Sequence, residues 1–140
     1  MSKTTLKKNY TILIVEDEEA LQNSLREVLR HEDLSTIKAK NGNEAVVLAL
    51  ASHPDLILLD LLLPIMSGMA ALKKIREDEW GKNVPVIMLT NLSATDEQLI
   101  EDMVAQGPFY YLMKSDWKIH DVAKLIKKVL GKKARELPTL

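Results

Sequence analysis

The amino-acid sequence predicts an α/β fold: one doubly wound parallel sheet with helices on both faces. Three observations carry that expectation. Short apolar runs recur five times along the chain, a stretch with helical spacing follows each of them, and turn or capping residues mark most of the junctions. Strand alternating with helix builds βαβ units, whose right-handed crossovers place helices on either side of a single sheet.

The strands are expected at Thr11–Val15, Leu34–Ala39, Leu56–Leu59, Val84–Leu89 and Tyr110–Met113. Four of them are nearly continuous in apolar character, as strands covered on both faces require. Leu34–Ala39 is more mixed, which suits a strand near the edge. In the first helix Leu21, Leu25, Val28 and Leu29 fall on one face. Ala45, Val46, Leu48 and Ala49 mark the second, and Met69, Leu72 and Ile75 the third. Leu99, Ile100 and Met103 mark a fourth; Val122, Leu125, Ile126 and Val129 mark a fifth. Asn41-Gly42 is a turn that opens the second helix. Ser93 or Thr95 is the expected cap of the fourth, Thr95 having capping-box spacing to Gln98, and Asp116 that of the fifth. Gly107-Pro108 and Gly131 read as the ends of the fourth and fifth helices.

A chain of 140 residues buries one continuous core but not two. One domain is therefore expected over residues 10–131, between tails at 1–9 and 132–140. A net charge of −1 offers nucleic acid no bulk electrostatic attraction. The absence of cysteine excludes disulfide and thiolate chemistry and fits a cytoplasmic location. Met1–Tyr10 is polar and lacks the apolar region of a signal peptide. The run Leu56–Met66 is broken by Asp60 and Pro64 and is too short to cross a bilayer. Neither nucleic acid nor membrane is an expected partner.

In an open parallel sheet, ligands bind beyond the carboxyl ends of the strands. There the sequence places Glu16 and Asp17 after the first strand, Asp60 after the third, Thr90 after the fourth and Lys114 after the fifth. Singly, each has a plainer account: a helix start for the acidic pair, a strand end for Thr90, a solvated loop for Lys114. A charge such as Asp60 at the end of a buried strand is harder to dismiss, because burial is expensive unless it is paired. Convergence of all five on one edge favours chemistry. Three carboxylates and one ammonium leave about −2 in a crevice, which a hard divalent cation relieves. Mg2+ suits it best, accepting one or two carboxylates and leaving positions for water and phosphate oxygens. It would also screen an incoming phosphoryl dianion, so that a carboxylate oxygen can attack phosphorus. Thr90 and Lys114 can then donate to the phosphoryl oxygens.

The same residues resemble the receiver domain of two-component response regulators, in particular the chemotaxis-type single-domain regulators. The similarity runs from about Tyr10 to Leu130. It rests on Ile12-Leu13-Ile14-Val15-Glu16-Asp17, on Asp55-Leu56-Ile57-Leu58-Leu59-Asp60 with Pro64 and Gly68, on Pro85-Val86-Ile87-Met88-Leu89-Thr90, and on Tyr111-Leu112-Met113-Lys114. The resemblance implies a (βα)5 flavodoxin-like sandwich with strand order 2-1-3-4-5. It implies Asp60 as phosphoacceptor, Mg2+ held by Glu16, Asp17, Asp60 and the backbone carbonyl of Leu62, and Thr90 and Lys114 as phosphoryl-binding groups. Thr90 and Tyr111 would form the switch. A sensor histidine kinase or a histidine phosphotransfer protein would supply the phosphoryl group, and the chain would catalyse only its own phosphorylation and dephosphorylation. The face of the fourth helix, fifth strand and fifth helix would then present itself to a downstream protein, as a monomer or a phosphorylation-dependent dimer. No output domain fits after the fifth helix, so a stand-alone regulator or a phosphorelay intermediate is expected.

Three positions depart from the family pattern. Ser115 stands where proline usually follows the lysine; a cis bond there would cost about 2.5–4 kcal/mol, so a trans Lys114–Ser115 peptide and a re-routed loop are expected. The next aromatic, Trp117, is delayed by Asp116. Asn91 after Thr90 is bulkier than usual and is expected either to narrow access to the phosphoryl group or to restrict the Thr90 shift. Leu62 and Leu92, which flank that group, cannot orient a water, which predicts a long-lived aspartyl phosphate.

Other features have plainer readings. Lys124, Lys127, Lys128, Lys132 and Lys133 form a solvated basic helix face, with docking of an acidic partner as the alternative. Tyr110 and Trp117 are candidates for partial exposure near it. His31, His53 and His120 lack metal-ligand spacing and read as surface or helix-end residues, and Met66 and Met69 as core filling. Against the receiver reading stand an aspartyl-phosphate hydrolase, a nucleotide-binding domain and a degenerate, phosphorylation-independent receiver. Glu16-Asp17-Glu18 is not the D-x-D of such hydrolases, no glycine-rich loop follows the first strand, and the intact set Asp17, Asp60, Thr90 and Lys114 speaks against degeneracy.

Overall fold

The structure is a computed structural model and describes residues 9–90, 98, 101–102, 105, 110–113 and 118–136. Its strands are β1 (Thr11–Val15), β2 (Ser35–Ala39), β3 (Leu56–Asp60), β4 (Val86–Thr90) and β5 (Tyr110–Met113). They form one parallel sheet in the order β2-β1-β3-β4-β5. The helices are α1 (Glu19–His31), α2 (Gly42–Ser52) and α3 (Gly68–Glu77), then α4, helical at residues 98, 101–102 and 105, and α5 (Ile119–Glu136). The flavodoxin-like α/β fold expected from the sequence is the one observed.

The near-continuous apolar strands have a simple cause. Successive side chains point to opposite faces, and both faces are covered. Leu13, Val15, Ile57, Leu59, Val86 and Met88 pack with Ala45, Ala49, Leu72 and Ile75 of α2 and α3. Ile12, Ile14, Leu56, Leu58, Ile87 and Leu89 pack with Leu25 and Leu29 of α1 and Val122, Ile126 and Val129 of α5. Mixed, half-exposed β2 lies at the edge.

Several boundaries differ from expectation, and β3 and β4 each run one residue further, to Asp60 and Thr90. β2 starts at Ser35, because the Leu34 N–H is taken by the Leu29 carbonyl (3.0 Å) as α1 ends. β4 starts at Val86, since Pro85 has no N–H for the ladder. Gly131 does not close the last helix, which continues through the stretch expected to be a tail and ends at Glu136. A mid-helix glycine costs only about 1 kcal/mol, and Lys132, Lys133, Ala134 and Arg135 are good helix formers.

The starts of α2 and α3 follow their caps. Asn41 Oδ1 accepts from the Glu44 N–H (2.8 Å), and Ser67 Oγ accepts from the Ala70 N–H (3.1 Å). At the entrance to α5 the Asp121 carboxylate accepts from the Lys118 N–H (3.1 Å). Leu99, Ile100 and Met103, the caps Ser93, Thr95 and Asp116, and Gly107-Pro108 lie outside the described residues. Among the described residues no helix is long and apolar enough to cross a membrane.

Candidate functional site

β1 and β3 are adjacent and parallel, so their carboxyl ends emerge side by side. Asp60 is the last residue of β3, and Glu16 and Asp17 follow β1 directly. One carboxylate oxygen from each of the three lies within 4.8 Å of the others. Glu16 and Asp60 are buried, at 2% and 4% exposure, while Asp17 is exposed. The cluster therefore has two carboxylates anchored in protein and one facing outward.

Local hydrogen bonds aim these groups. Asp60 Oδ1 accepts from the Leu62 N–H at 3.1 Å, folding the chain back over the strand end. Glu16 Oε2 accepts from the Glu18 N–H at 3.1 Å. The Leu61 N–H donates to the Leu89 carbonyl (3.1 Å), carrying the β3–β4 pairing one residue beyond Asp60. Gly68 opens α3 directly against this turn, its N–H donating to the Leu61 carbonyl (2.8 Å). A Cβ on Gly68 would fall 2.8 Å from Leu61 Cα and 2.9 Å from the Asp60 carbonyl carbon. Only glycine lets the helix approach this closely. The Gly42 N–H donates to the Met66 carbonyl (3.1 Å), tying the start of α2 to the same loop.

The donor set fits Mg2+. It is all oxygen, and two of its three carboxylates are preset by burial and backbone donors. Oxygens sharing one Mg2+ at about 2.1 Å lie at most about 4.2 Å apart, so the cluster needs to close by only about half an ångström.

The other expected site residues are placed as follows. Thr90 ends β4, pairing with Met113 of β5, and Tyr111 sits opposite Met88. The Leu62 side chain is 58% exposed beside Asp60. Lys114, Asn91, Leu92, Ser115, Asp116 and Trp117 lie outside the described residues, and with them the Lys114–Ser115 peptide. Tyr110 is half-buried against the core under α5. His31 ends α1 hydrogen-bonded to Glu27 (3.1 Å), His53 caps α2 and stacks on Trp80 (4.4 Å), and His120 is exposed at the start of α5. Met69 is buried and Met66 packs against the same core. Of the basic face, Lys124, Lys127 and Lys128 are exposed on α5, and Lys127 reaches Glu32 at 2.7 Å. That contact holds the Glu32 carboxyl below its ordinary range, through the hydrogen bond first and the charge second.

Sequence reasoning missed one residue of this region. Gln22 is 4% exposed, and its Nε2 donates to the carbonyls of Ile14 (3.1 Å), Glu16 (3.3 Å) and Ala39 (3.1 Å). The available signal was a polar residue in register with Leu25 and Leu29 on the buried stripe of α1.

The response regulator receiver domain model matches residues 12–129. The chain belongs to that family. Its members are the signalling switches of two-component systems. The polar-differentiation response regulator DivK of Brucella ovis is 31% identical over 121 residues, covering 86% of this chain and 96% of the relative. The receiver domain of a sensor histidine kinase from Pseudomonas aeruginosa superposes with a TM-score of 0.77 at 29% identity, over 88% of this chain and 98% of that one. That crystal structure has a magnesium ion coordinated in its active-site cleft. A histidine kinase receiver domain from Syntrophus aciditrophicus gives a TM-score of 0.78 at 31% identity, over 88% of this chain and 91% of that one.

Proposed function

We propose that this receiver domain accepts a phosphoryl group on Asp60 and uses it to switch a partner-binding surface. The observation that carries the proposal is the meeting of Glu16, Asp17 and Asp60 oxygens within 4.8 Å at the carboxyl edge of the sheet. The donor is a phosphohistidine of a sensor histidine kinase or a histidine phosphotransfer protein. An Asp60 oxygen forms the new bond to phosphorus while the phosphorus–nitrogen bond to the imidazole breaks. Glu16, Asp17, Asp60 and the Leu62 carbonyl would hold Mg2+, which when bound supplies charge screening between the carboxylates and the phosphoryl dianion. Leu62 orients Asp60 through its backbone N–H, while its apolar side chain offers no group to position a hydrolytic water. Thr90 and Lys114 bind the phosphoryl oxygens.

Phosphorylation adds about −1.5 to −2 charge at Asp60. Thr90 and Tyr111 respond on the adjacent strands β4 and β5 and re-pack the surface of α4, β5 and α5. This is a population shift between two packings, and moving it from 1:99 to 99:1 takes about 5.5 kcal/mol of differential interaction. We assign the receiver unit to residues 10–131, with its last helix running on to Glu136, and a cytoplasmic setting to its signalling. It acts through protein contacts, as a monomer or a phosphorylation-dependent dimer, on a downstream protein rather than on nucleic acid or membrane.

The test is intact mass after incubation with Mg2+ and acetyl phosphate or phosphoramidate, against an Asp60→Asn control. A gain of about 80 Da in the wild type alone, and only with Mg2+, is expected. No gain with either donor, together with no response to beryllofluoride, would refute the reading in favour of a phosphorylation-independent receiver.

A further inference from the structure

We infer that Gln22 is a positioning residue for the cation site, the group that locks the Glu16–Asp17 peptide in the orientation the carboxylates require. The inference rests on the reading of that cluster as a Mg2+ site. A primary amide carries two N–H groups, yet Gln22 Nε2 stands 3.1–3.3 Å from the carbonyl oxygens of Ile14, Glu16 and Ala39. Those carbonyls belong to β1, to the turn after it and to the end of β2. Its orientation admits no alternative, because turning the amide over would set Oε1 against three acceptors. That oxygen is buried with no hydrogen-bond partner among the described residues, so the side chain is held through its donor end.

The clasp reaches the site through a short path. The Glu16 carbonyl and the Asp17 N–H belong to one rigid peptide plane. Fixing the carbonyl fixes the Asp17 N and Cα from which its side chain departs. The Gln22 backbone N–H also donates to the Glu18 carbonyl (2.9 Å), and the Glu18 N–H holds Glu16 Oε2 (3.1 Å). Gln22 therefore grips the acidic turn from both sides. The Glu16 N–H donates to the Ala39 carbonyl (3.0 Å), so the same oxygen ties that turn to β2. Gln22 touches no metal oxygen, and its effect passes entirely through the turn.

The test uses Mg2+ alone, titrated calorimetrically into the full chain. Gln22→Met keeps the volume and removes both donors. We expect Mg2+ affinity to fall about tenfold, the usual scale for losing a group that orients a ligand. In cation-free protein, amide exchange at Asp17 and Glu18 should quicken relative to the core. Arg76→Met is the matched control. Arg76 Nη1 gathers the carbonyls of Gly81 (2.8 Å), Lys82 (3.5 Å) and Val84 (2.7 Å) before β4, at the opposite edge of the sheet. Its loss should destabilise the fold and leave Mg2+ affinity unchanged. Gln22→Asn, one methylene short of the three carbonyls, carries the same expectation if the methionine variant does not fold. Wild-type affinity in the Gln22 variants, or an equal loss in Arg76→Met, would overturn the inference alone. Failure of the wild type to bind Mg2+ would overturn it together with the reading of the cluster.

Discussion

Gly68→Ala is a one-carbon change behind the proposed phosphoacceptor. Its Cβ would lie 2.8 Å from Leu61 Cα and 2.9 Å from the Asp60 carbonyl carbon, and nearer still to the Asp60 carbonyl oxygen, where ordinary contact begins at 3.4 Å. Every one of these neighbours is backbone, so no side chain can rotate to make room. Either α3 backs away from the strand end or the Asp60–Leu61 peptide shifts. Overpacking of this kind costs about 1–3 kcal/mol. For a domain of this size that lowers Tm by about 3–10 °C. The shift bears on the residue whose carboxylate completes the acidic cluster, so Mg2+ affinity should fall as well. Gly81→Ala separates the two effects. Its Cβ would press on the Ile75 carbonyl carbon at 2.8 Å, remote from the acidic cluster, and should lower Tm without touching Mg2+ binding. Thermal unfolding and Mg2+ titration of both variants are the assay. A Gly68→Ala protein with wild-type Tm would refute the packing argument. One that is destabilised but binds Mg2+ normally would refute the link from Gly68 to Asp60.

Asn41→Ala removes the side chain that accepts from the Glu44 N–H (2.8 Å) and should cost about 1 kcal/mol in denaturant unfolding with an unchanged m-value. Leu62→Asn places a polar group on a position 58% exposed beside Asp60. Decay of the phosphorylated mass should then run several-fold faster, and an unchanged rate would remove water positioning as the control. Glu32→Gln should lower Tm slightly at pH 7. Because Lys127 depresses the Glu32 carboxyl in the folded state, that stabilisation exists above the unfolded value of 4.5 and disappears as pH falls through the lower folded one. The gap should therefore close in acid, whereas a gap that persists there would assign the effect to packing. Asp17→Asn takes one like charge from the acidic cluster and should raise the Tm of cation-free protein while shrinking the further rise on adding Mg2+, both read in one thermal scan series.

How much was legible in the sequence depended on whether a signal was periodic or pairwise. Ile12, Leu13, Ile14 and Val15 announce a strand buried on both faces, whatever surrounds them. Glu16, Asp17 and Asp60 were legible because strand ends in a parallel sheet share an edge, so the topology converts scattered positions into neighbours. Pairwise geometry was not legible. Nothing in the run of residues says that the Leu34 N–H goes to Leu29 instead of the β2 ladder. Gly131 resembles a stop, but the helix formers after it decide the outcome. Gln22 is one of several polar residues along α1. Its role appears only when α1 is laid against β1 and the side-chain amide meets three backbone carbonyls. Ile65 is another such case: a β-branched residue 84% exposed with φ 69°, a left-handed conformation set by the turn between Pro64 and Ser67.

The two edges of the sheet divide the work between them. At the amino edge, strand starts are closed by protein. The Thr11 N–H donates to Asp55 Oδ2 (2.8 Å), the Asp55 N–H to the Thr11 carbonyl (2.8 Å), and Arg76 to the Val84 carbonyl (2.7 Å). Desolvation pushes the Arg76 guanidinium below its usual value, yet it stays protonated, held among carbonyls. Charge there meets opposing dipoles. At the carboxyl edge the same strands deliver three carboxylates to one place. Like charges gathered in this way weaken a fold whose net stability is only about 5–15 kcal/mol. The fold tolerates the cluster because Ile12–Val15, Leu56–Leu59 and Val86–Leu89 are essentially fully buried, so the strands that carry it are held along their length. The buried strands therefore hold the three carboxylates together at one edge, where a bound cation would offset their like charge.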